Sequence, residues 1–158
     1  MVCVITKQEK ETEYVGQRMA KYLEPGDFIA LIGQLGAGKT VFSKGIARGL
    51  GIEEDITSPT FTIIHEYTNG RIPLFHMDVY RLKDVQEMDD LGYEEYFYGN
   101  GVTVVEWADI IRDILPAEHL ALVFNQGEEG REICFYPQGE KYKRLVEELT
   151  GHDYSKHR

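Results

Sequence analysis

Residues 28–40 read Phe28-Ile29-Ala30-Leu31-Ile32-Gly33-Gln34-Leu35-Gly36-Ala37-Gly38-Lys39-Thr40, and their reading decides the fold. Phe28 to Ile32 is an apolar run of buried-strand length, and Thr40 to Leu50 carries the pattern of a helix. Between them, Gly33 to Thr40 satisfies G-x-x-x-x-G-K-[ST]. Each fixed position has a mechanical task. Gly33 and Gly38 let the backbone bend so that successive N–H groups converge on phosphate oxygens. Lys39 reaches the β- and γ-phosphates, and the Thr40 hydroxyl can hold Mg²⁺. Gly36 eases close backbone approach. Gln34, Leu35, Ala37 and Val41 complete the stretch expected to line the phosphates, at a helix N-terminus that favours an anion. Strand, loop and helix together imply a nucleoside triphosphate site.

Working outward, residues 2–5 read as a short strand. Thr6 is expected to start a helix to about Leu23, with Glu9 as its capping-box partner. Residues 60–67 and 72–80 are strand-like, and Asn69-Gly70 between them signals an antiparallel hairpin. Asp84 to Phe97 reads as an acidic helix, crossing over to a buried strand at Val102 to Glu106. Leu120 to Phe124 and Arg131 to Tyr136 form a second hairpin, turning at Gly127 to Gly130. A last helix covers 139–149, and 151–158 is expected to be a frayed tail. The pattern is α/β with antiparallel additions. It implies a mixed sheet in a P-loop NTPase-type three-layer fold, with residues 1–150 as a single domain.

Composition narrows the partners. In 158 residues, 27 acids outnumber 17 Lys and Arg, for a net charge of −10. Affinity for nucleic acid comes mainly from cations neutralising phosphates, so this balance argues against a direct grip on it. Lys141-Tyr142-Lys143-Arg144, the only dense basic stretch, reads as a solvated helix face. Cys3 and Cys134 show no metal or disulfide spacing and are expected to be buried, reduced thiols of a cytoplasmic protein. No apolar run approaches the roughly 18 residues that a membrane span needs, and the N-terminus has no charged-then-apolar signal.

A phosphate loop needs an acid at a nearby strand end to complete a Mg²⁺ shell. Two runs end in one, Leu74-Phe75-His76-Met77-Asp78 and Val102-Thr103-Val104-Val105-Glu106. Alternation puts His76, Asp78 and Tyr80 on one strand face and Phe75, Met77 and Val79 on the other. His76 and Tyr80 also fit a structural role as half-buried, hydrogen-bonded side chains. Trp107, the only tryptophan, follows Glu106 directly and fits either a core position or a ligand contact. Ser58-Pro59-Thr60-Phe61 lies where phosphate-loop proteins place a segment sensing the γ-phosphate, and it also fits a simple turn into a strand.

Together these pieces resemble the TsaE family, also called YjeE, of small bacterial ATPases. The resemblance rests on Gly33 to Thr40 with Phe42-Ser43-Lys44-Gly45, on Ser58-Pro59-Thr60-Phe61, on His76-Met77-Asp78-Val79-Tyr80-Arg81-Leu82 and on Glu106-Trp107. It implies ATP and Mg²⁺ as ligands and slow hydrolysis by the chain alone. It also implies work with the partners TsaB and TsaD, which place threonylcarbamoyl on adenosine 37 of tRNA. The ATPase would drive or reset that assembly, meeting tRNA only through its partners. By the same resemblance Thr40 and Glu106 are the metal ligands, and Asp78 acts near the γ-phosphate or behind the metal. Lys39, Asp78 and Glu106 are then the catalytic set, with Ser58 and Thr60 in the switch-like segment and Trp107 among the nucleotide contacts. The adenine would lie near the start of the first helix and a Gly-Arg-Glu turn, here Gly130-Arg131-Glu132, which makes Arg131 a base or ribose contact. Val41 departs from the second Thr common in similar sequences.

The mechanism expected is in-line attack by water on the γ-phosphate, with Lys39, the loop amides and Mg²⁺ offsetting charge. Arg81 is the nearest candidate for an arginine finger by motif. Rival readings are a small-molecule or nucleotide kinase, a GTP switch and a non-hydrolysing adaptor. Dispersed arginines, the lack of an Asn-Lys-x-Asp segment and the two strand-end acids speak against them in turn.

Overall fold

A computed structural model describes residues 1–34, 38–57, 59 and 64–151. Its centre is a seven-stranded mixed sheet ordered β1-β7-β6-β2-β5-β4-β3. The strands are β1 Val2–Thr6, β2 Phe28–Gly33, β3 Ile64–Tyr67, β4 Leu74–Asp78, β5 Val102–Glu106, β6 His119–Gln126 and β7 Arg131–Gln138. β6, β2, β5 and β4 run parallel, so their carboxyl ends share one edge. β7 and β1 add antiparallel strands on one side and β3 on the other. This is the mixed sheet of a P-loop NTPase-type fold.

Strand alternation assigns the two faces. Ile29, Leu31, Leu74, Val102 and Val104 pack under α1 (Glu9–Ala20), α2 (Lys39–Gly49) and α5 (Glu140–Thr150). Phe28, Ala30, Met77 and Val105 face α3 (Gln86–Leu91), α4 (Tyr93–Phe97) and a 3-10 helix at Ala108–Ile114. The runs therefore lack clear alternation because both faces are covered. α1 and α2 approach closely. A Cβ on Gly45 would stand 2.9 Å from the Glu13 carbonyl carbon, and one on Gly16 would stand 3.1 Å from Ile46 N.

α5 is anchored to the start of β2 by a buried carboxylate. Asp27 accepts from Glu24 N at 2.7 Å and from the Tyr142 hydroxyl at 3.1 Å, and pairs with Lys141 Nζ at 2.6 Å. The stretch 141–144 is thus no uniform basic face, because Tyr142 is core and Lys141 is committed to Asp27.

Several sequence expectations need correction. Thr6 does not begin the first helix. Pairing with Arg131 of β7 keeps it in β1, and its hydroxyl lies 2.6 Å from that of Thr12. The helix starts at Glu9 without a side-chain cap and ends at Ala20 rather than near Leu23. The acidic helix is broken at Gly92, whose φ of 76° ends α3 and opens α4. The β3–β4 pairing is antiparallel as expected, but the strands stop at Tyr67 and resume at Leu74. Gly70 there serves close approach, since a Cβ would fall 2.6 Å from Leu50 O. The largest correction concerns the cysteines. Antiparallel pairing sets Cys3 opposite Cys134, and the two form a disulfide with Cys3 exposed. A separation of 131 residues hides that partnership from any spacing rule.

Candidate functional site at the carboxyl ends of the parallel strands

β2 ends at Gly33, whose φ of 149° lies outside what other residues adopt readily, and a Cβ there would fall 2.6 Å from Phe124 O. Gly38 (φ 94°, ψ 12°) turns the chain into α2. Both positions demand glycine. Lys39 therefore opens a helix whose axis starts at the strand ends. Its Nζ donates to Gly33 O at 3.0 Å and Gln34 O at 2.9 Å, and stands 4.2 Å over the Trp107 ring. Burial pushes the Lys39 amine down from its ordinary range, against the opposing pull of the Glu106, Asp78 and Asp109 carboxylates.

Thr40, one residue on, donates from Oγ1 to Glu106 Oε1 at 3.0 Å, with Oε2 at 3.2 Å. Glu106 is the last residue of β5 and only 3% exposed. Directly opposite on β4 stands Asp78, whose Oδ1 accepts from Tyr80 N at 2.9 Å. Two strand-end acids thus flank the loop lysine on adjacent parallel strands. Glu106 touches the Thr40 hydroxyl. Tyr80 lies beyond the end of β4, so it does not continue that face. Its ring packs at 4.6 Å on Trp107. Trp107 adopts φ 64°, a left-handed conformation rare for a bulky side chain. Backbone of this kind concentrates at functional sites.

Arg131 begins β7 and reaches the loop from the far side of the sheet. A Cβ on Gly38 would stand 2.8 Å from its Cζ and 3.0 Å from its Cδ, and the buried Nε has no hydrogen-bond partner among the described residues. Beside it lies a cavity of about 150 Å³ between Lys7-Gln8-Glu9, Thr6, Gln126 and Gly130. Residues 7–9 carry no distinctive pattern, so sequence reading had no signal for them. Gln34 is exposed and Val41 half-buried, while Leu35, Gly36, Ala37, Ser58 and Thr60 lie outside the described residues. Arg81 is exposed. A larger recess of about 860 Å³, between α1, α2 and residues 51–57, lies away from these groups.

The arrangement joins a phosphate-loop lysine, a hydroxyl–carboxylate pair of hard oxygen donors and a cavity walled by an arginine. Among the described residues, no helix is long and apolar enough to cross a membrane.

Comparison with known proteins identifies the family. Residues 6–133 match the family model described as threonylcarbamoyl adenosine biosynthesis protein TsaE. The chain is 50% identical over 149 residues to the tRNA threonylcarbamoyladenosine biosynthesis protein TsaE of Bacillus subtilis (strain 168), covering 94% of this chain and 93% of that relative. It is 47% identical over 116 residues to the protein of that name from Treponema pallidum (strain Nichols), covering 73% and 84%. A crystal structure of Bacillus subtilis YdiB superposes with a TM-score of 0.83 at 45% identity, covering 96% of this chain and 95% of that one. With the matched model spanning most of the sequence, the chain belongs to the TsaE family.

Proposed function

We propose that this protein binds ATP with Mg²⁺ and hydrolyses it slowly, serving threonylcarbamoyl modification of adenosine 37 in tRNA with TsaB and TsaD. The observation that carries the ATPase reading is the contact of Thr40 with Glu106 beside Lys39, at the shared carboxyl edge of β2 and β5. A hydroxyl and a carboxylate suit Mg²⁺, a hard cation that takes oxygen ligands, so Thr40 and Glu106 would hold it. When bound, the metal would offset charge on the β- and γ-phosphates. Lys39 would leave the Gly33 and Gln34 carbonyls for those phosphates. Its burial strengthens that attraction. Asp78, opposite Glu106, would orient water or the metal's hydration shell. Arg131 and residues 7–9 would enclose the base in the adjacent cavity.

The tRNA assignment rests on family membership and on the names of the relatives. The acidic balance supports a role beside tRNA rather than on it, with the group transfer done by the partners in the cytoplasm. The deciding experiment is phosphate release from ATP with and without the TsaB–TsaD pair and its tRNA. Slow turnover alone and acceleration by the partners are expected. A brisk rate that the partners leave unchanged refutes the partner-dependent reading. Lys39→Ala should abolish ATP binding, whereas Glu106→Ala should lower Mg²⁺-dependent hydrolysis and spare metal-free binding. Equal loss of metal-free binding in both refutes this division of roles.

A further inference from the structure

Along the sheet face under α1 and α2, Leu74, Val102 and Val104 are buried and aliphatic. His76 interrupts them. It stands beside Val104 in the β4–β5 register and is 0% exposed. Its Nε2 lies 2.5 Å from Glu106 Oε2, while its Nδ1 has no hydrogen-bond partner among the described residues. An imidazole in that place is expensive, because a buried polar atom without a partner loses its hydration for nothing. A valine or leucine would fill the layer without that penalty. The single polar tie that the ring makes among the described residues is to the carboxylate that Thr40 also touches. Because a carboxylate accepts, Nε2 is the protonated nitrogen and donates.

The two contacts pin the carboxylate. Oε2 accepts His76 Nε2–H, and the Thr40 hydroxyl lies nearer Oε1, at 3.0 Å, than Oε2, at 3.2 Å. We propose that His76 is a positioning residue that holds Glu106 in the one orientation presenting Oε1 toward Thr40 and a divalent cation. Rotation of Glu106 breaks the His76 bond inside an apolar layer, where water does not replace it. The inference rests on the proposed nucleotide–metal reading. It goes beyond that reading by giving work to a buried group in which the expected chemistry has no part.

The test titrates Mn²⁺ into the full chain with ADP, followed by electron paramagnetic resonance, which reads metal affinity without turnover. His76→Leu should weaken Mn²⁺ binding by about 10–100-fold, the usual effect of removing a group that orients a metal ligand. ADP affinity in EDTA should stay within about threefold of wild type. His76→Gln puts an amide N–H near the place of Nε2 and should restore Mn²⁺ affinity to within about threefold. His76→Asn puts it near Nδ1 and should not. Unchanged Mn²⁺ affinity in the leucine variant overturns the proposal. So does equal Mn²⁺ affinity in the Gln and Asn variants, and that pair decides if the leucine variant does not fold. A wild-type protein that binds Mn²⁺–ADP but releases no phosphate refutes hydrolysis alone and leaves this test standing. No Mn²⁺–ADP binding by wild type overturns both.

Discussion

Gly45→Ala tests how the helix pair holds the loop. Gly45 lies in the middle of α2, on the side facing α1. On helix propensity alone, alanine should stabilise by about 1 kcal/mol. Packing opposes it. The added Cβ would stand 2.9 Å from the Glu13 carbonyl carbon, closer still to its oxygen and 3.1 Å from Gln17 N, where ordinary contact begins near 3.4 Å. All three atoms are backbone of a regular helix, so no side chain can rotate aside. Overpacking of this kind costs about 1–3 kcal/mol, and rigid neighbours put it at the upper end. The net loss is about 1–2 kcal/mol, or roughly 2–8 °C in Tm for a chain of this size. Because α2 begins at Lys39 and Thr40, moving it also displaces the loop, and nucleotide affinity should fall with stability. Gly51→Ala is the control. Gly51 has φ 82° and no atom within 4 Å, so alanine there meets backbone strain alone and should spare affinity. Thermal melts and ADP binding on both variants decide the matter. A Gly45→Ala protein melting at or above wild type refutes the close-approach argument.

Three further outcomes follow from particular contacts. Arg131→Ala should weaken adenine nucleotide binding by about tenfold, a loss near 1.4 kcal/mol, while inorganic triphosphate, which lacks a base, binds nearly as before. Calorimetry with both ligands checks this, and equal losses count against the cavity as a base site. Burial, and then the Asp27 charge, push the Tyr142 hydroxyl well above its ordinary range, although the Phe28 N–H pulls the other way. A raised folded pKa means that the native state keeps its proton longer. Stability is therefore intact below about pH 10 and falls as pH rises through that value, where the unfolded tyrosine ionises. Denaturant melts of Tyr142→Phe should be less stable at neutral pH but show a shallower alkaline decline; an identical slope refutes the assignment. Finally, the disulfide closes a separation of 131 residues, and Cys3→Ser should cost about 2–4 kcal/mol in oxidised protein. Amide exchange should then rise first in β1, and exchange spread evenly over the sheet contradicts the strand-edge location.

Much of this architecture is legible from local pattern. Phe28 to Gly33 and Val102 to Glu106 are strands because short apolar runs bounded by turn residues have few other uses. The loop glycines are legible for the same reason, since positive φ at Gly33 and Gly38 is a requirement of residue chemistry. Local pattern misleads where a distant partner outbids it. Thr6 and Glu9 have capping-box spacing, yet pairing with β7 claims Thr6 for a strand. The 3-10 helix at Ala108–Ile114 is too short and irregular to announce itself.

By itself, then, the sequence determined an α/β chain with a phosphate loop and two candidate acids, because those features depend on residue type and near-neighbour spacing. Only the tertiary structure brought Glu106 against Thr40 and set Asp78 opposite Glu106 across the β4–β5 ladder. It also joined Cys3 to Cys134, aimed Arg131 at Gly38 and buried His76 against Glu106. Each of these meetings depends on strand order and register. Those are set by burying both faces of the whole sheet at once, and no local stretch of sequence carries that condition.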